Sequence, residues 1–484
     1  MVDAGSRALA GLDALMSSGR RQWAAVFVVA WLLFAATANW GSGQISDAYG
    51  AAWAGWQYVD AGNFDVSSAA GFHEYPGVGL VEVDGELRVG RTIGVILAGL
   101  PGHALLAWSG ASATTSATLA ATLLTAAALA NTSLTLRNLA NRTAVLISTV
   151  ALGTGTALWT VAADQLWTHG PDAFWLSCTL LLLSSDRMWL AGWPMIGAVL
   201  TRPHLAIVAA MLGCLWAARE RSWRPVAAFG APGLFAIVLL RWSNAWYFGT
   251  GALDGGYGYA VSNATRAPSD RLGVWVEALV GAAISPMCGV LLYTPVIALV
   301  VVAAWGHQKQ APRWTVDAAL GGVLYFAIQM RISPGFDGGG AFFSNRYAIE
   351  PLLLATPFAM CVLAAWSARS SQRRALAVAA SALGVALHAY AELLPFALVG
   401  LGTASPWITW YPIYIGRAAG ATGAIAAISL LLAVALFTLI ALRDGTSSAA
   451  ALTTAPAASP RQGDCDLSSA SPAPPPGAAA SRRR

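Results

Sequence analysis

Four charged side chains stand where this 484-residue chain could do chemistry, each beside a long apolar segment. Asp47 closely follows the first such segment, Arg202 lies between two of them, and Arg91 and Arg346 each precede one. A carboxylate can take a proton from a reacting hydroxyl group, and a guanidinium can bind a phosphate through two parallel hydrogen bonds. These residue types therefore indicate proton transfer and phosphate binding, if the fold brings them to one place.

Two further candidates lie in short segments between apolar runs. His169 occurs in LWTHGPDAF and Asp337 in SPGFDGGGAFFSNRYAIEPL, and both side chains could contact a polar substrate. Asp84, Asp164 and Asp172 are secondary carboxylate candidates in the same kind of segment. Together these side chains indicate a polar face built from loops that connect apolar helices.

Each main candidate also has a purely structural interpretation. Asp47 could be a solvated loop acid or could cap a helix, and Arg346 could extend from an apolar helix end toward water. Arg202 is costly between apolar helices unless it is paired, and its partner could be a loop acid rather than a phosphate. His169 could be a structural histidine, and Asp337 with its three following glycines could form a flexible turn.

The composition indicates a membrane protein, because 57% of the residues are hydrophobic and only 11% are charged. A typical soluble chain is roughly 25% charged. Several apolar runs approach the length of about 20 residues that a helix needs to cross a bilayer. We therefore predict an all-α, polytopic helical bundle that contacts the lipid bilayer. The net charge of +5 comes from short, scattered basic clusters, so nucleic acid is not an expected partner.

Loop charges predict the orientation of this bundle. Most basic residues fall on one side if the N-terminus is cytoplasmic and if the stretch 91–108, broken at Pro101-Gly102, is re-entrant or interfacial on the outer face. This choice gives about 12 transmembrane helices with both termini inside. The candidate helices run at about 23–38, 112–133, 144–163, 171–184, 188–200, 204–218, 225–243, 285–305, 315–331, 349–367, 374–393 and 418–442.

The chain divides into three parts by composition. Residues 1–22 form a cytoplasmic N-terminus, and residues 23–443 form the membrane-embedded domain. Its long first outer loop, 40–111, is predicted to contain an interfacial helix, because aromatic residues recur after Asp47. Residues 444–484 are rich in Ala, Ser and Pro and are predicted to be a disordered cytoplasmic tail.

Several outer segments occur in a familiar order: GQISDAYGAAWAG, RTIGVILAGLPGHALL, LWTHGPDAF, TRPHLAIVAA, YFGTGALDGGYG, SPMCGVLLYTPV and GGGAFFSNRYAIEPL. This order resembles the GT-C superfamily of membrane glycosyltransferases, which use polyprenyl-phosphate sugars. Within it, the chain is similar to the bacterial branch related to protein mannosyltransferases and lipid A aminoarabinose transferases. The resemblance covers most of the apolar part of the chain and implies a GT-C-like fold.

The resemblance also implies an inverting displacement at the anomeric carbon of the sugar. In that reaction Asp47 would be the catalytic base, and Arg346, Arg202 and Arg91 would bind the lipid phosphate. His169 and Asp337 would be further substrate-binding residues. The acidic site of the family is often a pair of adjacent acids, whereas Asp47 is flanked by Ser46 and Ala48. Metal ligands are therefore unknown, and a divalent cation such as Mg or Mn stays an open expectation.

The expected partners are a polyprenyl-phosphate sugar donor and a glycan, lipid or protein acceptor in the cell envelope. The Ala, Gly and Arg usage favours a GC-rich bacterium, which places the chain in a bacterial plasma membrane with its active site outside. The alternative is a transporter or flippase of an envelope precursor, which would carry ionisable groups near the middle of the bilayer. A non-catalytic scaffold of envelope assembly is a third possibility.

Overall fold

A computed structural model describes residues 18–40, 46–74, 79–253, 255, 268–285, 288–332 and 344–393. All of these belong to one compact unit, Met1–Leu442. The predicted helix at 418–442, the tail at 444–484 and the candidate Asp337 lie outside the described residues.

Helices make up most of the described chain, as predicted. In order they are α1 (Gly19–Thr37), α2 (Ser46–Ala61), α3 (Ile93–Leu106), α4 (Ala113–Arg137), α5 (Arg142–Thr154), α6 (His169–Ser184), α7 (Met188–Ala191), α8 (Pro194–Thr201), α9 (Ala206–Glu220), α10 (Arg224–Phe248), α11 (Pro268–Ile284), α12 (Val290–Tyr293), α13 (Val296–His307), α14 (Arg313–Ile332), α15 (Ile349–Ser367) and α16 (Ser371–Leu393). A π-helical turn spans Leu158–Ala163, and 3₁₀ turns include Pro203–Leu205 and Arg346–Ala348.

Three of the described helical segments are long and apolar enough to cross a membrane: Ala113–Arg137, Arg224–Phe248 and Arg346–Ser367. Other apolar helices in the described part are shorter, among them Arg142–Thr154 and Met188–Thr201. The number of about 12 spans therefore stays a prediction.

Three predicted helices are interrupted. The helix expected at 144–163 ends as α5 at Thr154 and is followed, after Gly155 and Thr156, by the π-helical turn Leu158–Ala163. The helix expected at 285–305 is divided into α12 and α13 before Pro295, because a proline ring clashes with the carbonyl group one turn earlier. The helix expected at 188–200 is divided at Gly192, where an added Cβ would lie 2.1 Å from the carbonyl oxygen of Ala228 on α10. Conversely, α11 lies within a stretch that we expected to be an outer loop, 244–284.

The segment predicted as the first outer loop, 40–111, is more ordered than expected. It contains α2 and also an antiparallel hairpin of β1 (Leu80–Val83) and β2 (Glu86–Val89), which adds a small sheet to the predicted all-α fold. Asp84 and Gly85 both have positive φ, the conformation of a two-residue hairpin turn. The helical break expected at Pro101-Gly102 was wrong, because α3 continues through Pro101.

The buried apolar side chains form two main clusters. The first contains residues of the long helices, such as Leu129 of α4, Leu176 of α6 and Leu353 of α15. The second gathers α2, the hairpin and α3, through residues such as Ala51 and Ile96. The segment 40–111 therefore shares a core with α4 and α10, and α2 packs against protein through this core.

Candidate functional site

Asp47 and Arg91, predicted as base and phosphate ligand, form an ion pair. Asp47 lies in the first turn of α2, where a carboxylate is favoured by the helix dipole. Arg91 Nη2 lies 2.5 Å from Asp47 Oδ1, and Arg91 Nη1 donates to the Gly90 carbonyl oxygen at 2.9 Å. The Arg91 side chain is buried, whereas the Asp47 side chain is 38% exposed. Asp47 is thus held in one orientation and still open to an incoming group.

Arg202 lies in the short connection between α8 and α9 and directs its guanidinium at protein groups. Its Nε donates to Thr168 Oγ1 at 2.7 Å, and its Nη1 donates to Tyr325 Oη at 3.0 Å. Its Nη2 lies 3.1 Å from His169 Nε2. These bonds fix the arginine in the protein, so the geometry favours a role in organising the site over direct phosphate binding.

His169 connects Arg202 to a carboxylate that the sequence reasoning missed. Glu350 Oε1 lies 2.7 Å from His169 Nδ1, and both side chains are fully buried. Because Glu350 accepts and Arg202 donates, Nδ1 carries the proton and Nε2 is the acceptor, which makes the imidazole neutral. The only signal for Glu350 was an acid in the first turn of a predicted helix, which is also typical of a helix start.

A second buried carboxylate, Asp172, lies beside the same arginine. Asp172 Oδ2 is 3.5 Å from Arg202 Nε, and the side chain is 0% exposed. No described donor forms a hydrogen bond to either oxygen of Asp172. Arg202 is therefore the cation that faces two buried carboxylates, Asp172 and Glu350, in this part of the described structure.

Arg346 lies against two aromatic rings near the Arg202 network. Its guanidinium carbon is 5.0 Å from the Trp167 ring centre and 4.8 Å from the Tyr347 ring centre. The Arg202 guanidinium carbon is 5.6 Å from the same Tyr347 ring. Stacking of this kind holds a guanidinium by its face, and Arg346 Nη2 also donates to the Tyr347 hydroxyl oxygen at 2.8 Å. Two of the predicted phosphate ligands thus share one aromatic ring.

The two parts of the candidate site are joined by a short link. Thr92 and Thr201 each adjoin one of the arginines, Arg91 and Arg202 respectively, and Thr92 Oγ1 donates to the Thr201 carbonyl oxygen at 2.7 Å. The structure therefore links the Asp47–Arg91 pair to Arg202 through these two threonines, and Arg202 contacts His169 and shares the Tyr347 ring with Arg346. The remaining candidate, Asp337, is outside the described residues.

The secondary candidate Asp164 has a different environment. Its Oδ1 accepts from the backbone N–H of Asn39 at 2.7 Å, and its Oδ2 accepts from Gln165 Nε2 at 3.3 Å. Burial raises the pKa of Asp164 to about 6, although the two hydrogen bonds oppose the shift. Asp84 forms the hairpin turn described above. Asp164 is thus a structural acid of the α1 terminus.

The described residues gather no group of three His, Cys, Asp or Glu side chains that could hold a metal ion. The close ionic partner of Asp47 is Arg91. A cation at this position would have to compete with the guanidinium, so a requirement for Mg or Mn stays a prediction that the described side chains do not support.

A scan against protein-family models and searches of curated proteins and solved structures find no match. The function of the chain is therefore inferred from its own residues.

Proposed function

We propose that this chain is an integral membrane glycosyltransferase of the GT-C type. It transfers a sugar from a polyprenyl-phosphate donor to a glycan, lipid or protein acceptor of the bacterial cell envelope. The reaction takes place at the outer face of the plasma membrane, with about 12 spans and both termini in the cytoplasm. The observation that carries the proposal is the half-exposed Asp47, which is oriented by Arg91 and joined through Thr92 and Thr201 to Arg202.

The proposed step is a single inverting displacement. Asp47 removes the proton of the acceptor hydroxyl while the hydroxyl oxygen attacks the anomeric carbon. At the same time the bond from that carbon to the phosphate oxygen breaks. Polyprenyl phosphate leaves with the electron pair, and a nearby guanidinium stabilises its charge. Arg346 is the first choice for this contact, because aromatic stacking holds its face. Arg202 and His169 act as its support.

The surface of the described helices supports a membrane location. Large apolar side chains project outward from several helices, for example Val29 at 68%, Leu234 at 65% and Val301 at 65% exposure. An apolar surface of this kind is unfavourable in water and favourable against lipid. Exposed tryptophans such as Trp223 and Trp305 lie near helix ends, where membrane proteins carry aromatic anchors.

The test is a transfer assay in membranes with a panel of polyprenyl-phosphate sugars. We expect Asp47→Asn to lower transfer by about 10²- to 10⁴-fold, the usual contribution of a general base. The matched control is Asp60→Asn, an exposed acid at the other end of α2, which should transfer at the rate of the unchanged chain. Equal activity of both variants would remove Asp47 as the base, and no transfer with any donor would refute the proposal.

The alternative is a transporter or flippase of an envelope precursor. The observation in its favour is the buried carboxylate pair Asp172 and Glu350 around Arg202, since buried ionisable groups in membrane proteins often lie on a transport path. Flux of a lipid-linked sugar across proteoliposomes, without any transfer to acceptor, would establish this alternative. Loss of that flux in Arg202→Met but not in Asp47→Asn would assign it to the buried pair.

A further inference from the structure

Thr92 occupies the capping position just before α3, but its side chain does not cap the helix. A threonine at this position normally accepts a hydrogen bond from a backbone N–H of the first helical turn, which stabilises the helix start. Thr92 has the extended backbone of such a cap, with φ −61° and ψ 140°, yet its side chain makes no capping bond. Its hydroxyl instead donates to the Thr201 carbonyl oxygen at 2.7 Å. The Thr92 side chain thus forms a hydrogen bond to another segment instead of the local capping bond.

The acceptor of this bond is the last residue of α8. Carbonyl groups at a helix end have no partner within the helix, so the Thr92 hydroxyl satisfies a group that would otherwise be buried without one. Both threonines are buried, Thr92 at 6% and Thr201 at 1% exposure. Water therefore cannot easily replace the bond if the hydroxyl is removed.

A backbone contact reinforces the bond at the same place. A Cβ atom built on Gly94 would lie 2.4 Å from the carbonyl carbon of Leu200 and from the backbone nitrogen of Thr201. These are backbone atoms, which cannot move aside as a side chain would. The start of α3 and the end of α8 are therefore in direct contact, and only glycine at position 94 allows it.

This contact lies where the two buried clusters meet. Ala198 of α8 belongs to the cluster of the long helices, whereas Leu200 packs against the cluster of the outer loop. Arg91, the residue before Thr92, holds Asp47. Arg202, the residue after Thr201, holds the His169–Glu350 pair. The Thr92 hydrogen bond and the Gly94 contact thus lie between the two parts of the site.

We propose that Thr92 is a positioning residue, which holds the Asp47–Arg91 pair at a fixed distance from the Arg202 network. The inference rests on the proposed function, because that distance matters for transfer if Asp47 and the arginines act on one donor. The base acts on the acceptor hydroxyl at one face of the anomeric carbon, and the phosphate ligand acts on the leaving oxygen at the opposite face. A displacement of about 1 Å between such groups can lower a rate by about 10²-fold.

The first test compares kcat and KM in the transfer assay for two substitutions of Thr92. Thr92→Val keeps the shape of the side chain and removes the hydroxyl, and we expect kcat to fall about ten- to hundredfold while the donor KM changes less than about twofold. Thr92→Ser restores the hydroxyl and should return kcat to within about threefold. The value of kcat is calculated per folded molecule, so that a loss of folded protein does not lower it.

The matched control is Thr294→Val. Thr294 is also buried, and its hydroxyl also donates to a carbonyl oxygen of another segment, that of Gly155, at 3.3 Å. Neither residue belongs to the candidate site. A kcat of Thr92→Val that equals the kcat of Thr294→Val, or a serine variant that fails to recover, overturns the positioning role.

A second test does not depend on activity. Spin labels at Asp60 on α2 and at Trp193 just before α8, both exposed, report the distance between the two parts in full-length protein. The five native cysteines are replaced by alanine for this purpose. We expect a shifted or broader distance distribution for Thr92→Val and an unchanged one for Thr92→Ser and Thr294→Val. An unchanged distribution for Thr92→Val overturns the inference, even if no donor is transferred and the proposed function fails.

Discussion

Replacing Arg202 should destabilise the protein far more than replacing Glu350, although the two belong to one network. Arg202 lies directly beside the fully buried Asp172 and faces the fully buried Glu350 across a neutral His169. Arg202→Met leaves both carboxylates without their cation. Removing one partner of a buried ion pair costs about 3–5 kcal/mol, because a charge remains uncompensated.

Glu350→Gln removes a buried carboxylate, whereas Arg202→Met removes the cation of the same network. The amide oxygen of glutamine can still accept from His169 Nδ1, and the Asp172 carboxyl group stays 3.5 Å from Arg202 Nε. The change replaces a hydrogen bond to a charged acceptor by a neutral one, which costs about 1 kcal/mol. The free energy lost in Arg202→Met should therefore be at least about threefold larger than in Glu350→Gln.

Both variants can be compared by unfolding in mixed micelles with increasing sodium dodecyl sulfate, followed by tryptophan fluorescence. Arg241→Met is the control for loss of an arginine, because Arg241 is exposed on α10 and should change the free energy of unfolding by less than about 0.5 kcal/mol. Equal destabilisation by Arg202→Met and Glu350→Gln would refute the charge balance inferred for this network.

Three further predictions concern other parts of the structure. Gly94→Ala should lower the unfolding temperature, since its methyl carbon would lie 2.4 Å from the carbonyl carbon of Leu200 and overpacking costs about 1–3 kcal/mol; an unchanged unfolding temperature would contradict this contact. The raised pKa of Asp164, about 6 against an ordinary 3.8, means that the folded state binds the proton more tightly. The part of the stability that Asp164 contributes should therefore be lost as pH rises from about 4 to 6, and unfolding measured across that range should show a smaller loss for Asp164→Asn than for the unchanged chain. Trp167→Leu should raise the donor KM about two- to fivefold in the transfer assay by weakening the hold on Arg346, and a KM equal to that of the unchanged chain would place the donor elsewhere.

Helices with strong apolar patterns were predictable, and their interruptions were less so. The helix at 349–367 was predicted with the bounds that α15 has, because a continuous apolar run begins after a polar loop there. The division before Pro295 follows from the proline itself. The division at Gly192 has a signal in Pro194, because proline favours the first turn of a helix. The close approach of α10 to Gly192 is a tertiary contact that the sequence does not show.

The hairpin of β1 and β2 has a sequence signal in its turn and in its strands. Asp84-Gly85 is a typical two-residue turn, and the residues on either side alternate between apolar and charged types. The strands have only four residues each, which is too short for the alternation to stand out in a chain dominated by apolar helices.

Residue types of the site were predictable, whereas their pairing was not. Sequence position identified Asp47 and Arg91 separately, but not the ion pair between residues 44 positions apart. Arg202 was expected to need a partner, and the structure supplies several within the protein. Glu350 was missed because an acid in a first helical turn has an ordinary structural explanation.

The position of the charged groups along the helices bears on the choice between enzyme and transporter. His169 begins α6, Arg202 follows the end of α8, and Glu350 lies in the first turn of α15. Tyr325 and Gln329, which bond to Arg202, lie in the last turns of α14. These termini meet at one end of the bundle, so the network lies at the ends of helices rather than at their middles. A carrier that moves its cargo across the bilayer needs its binding groups near the midplane, whereas a transferase with a lipid-linked donor needs them where the phosphate lies, at the rim.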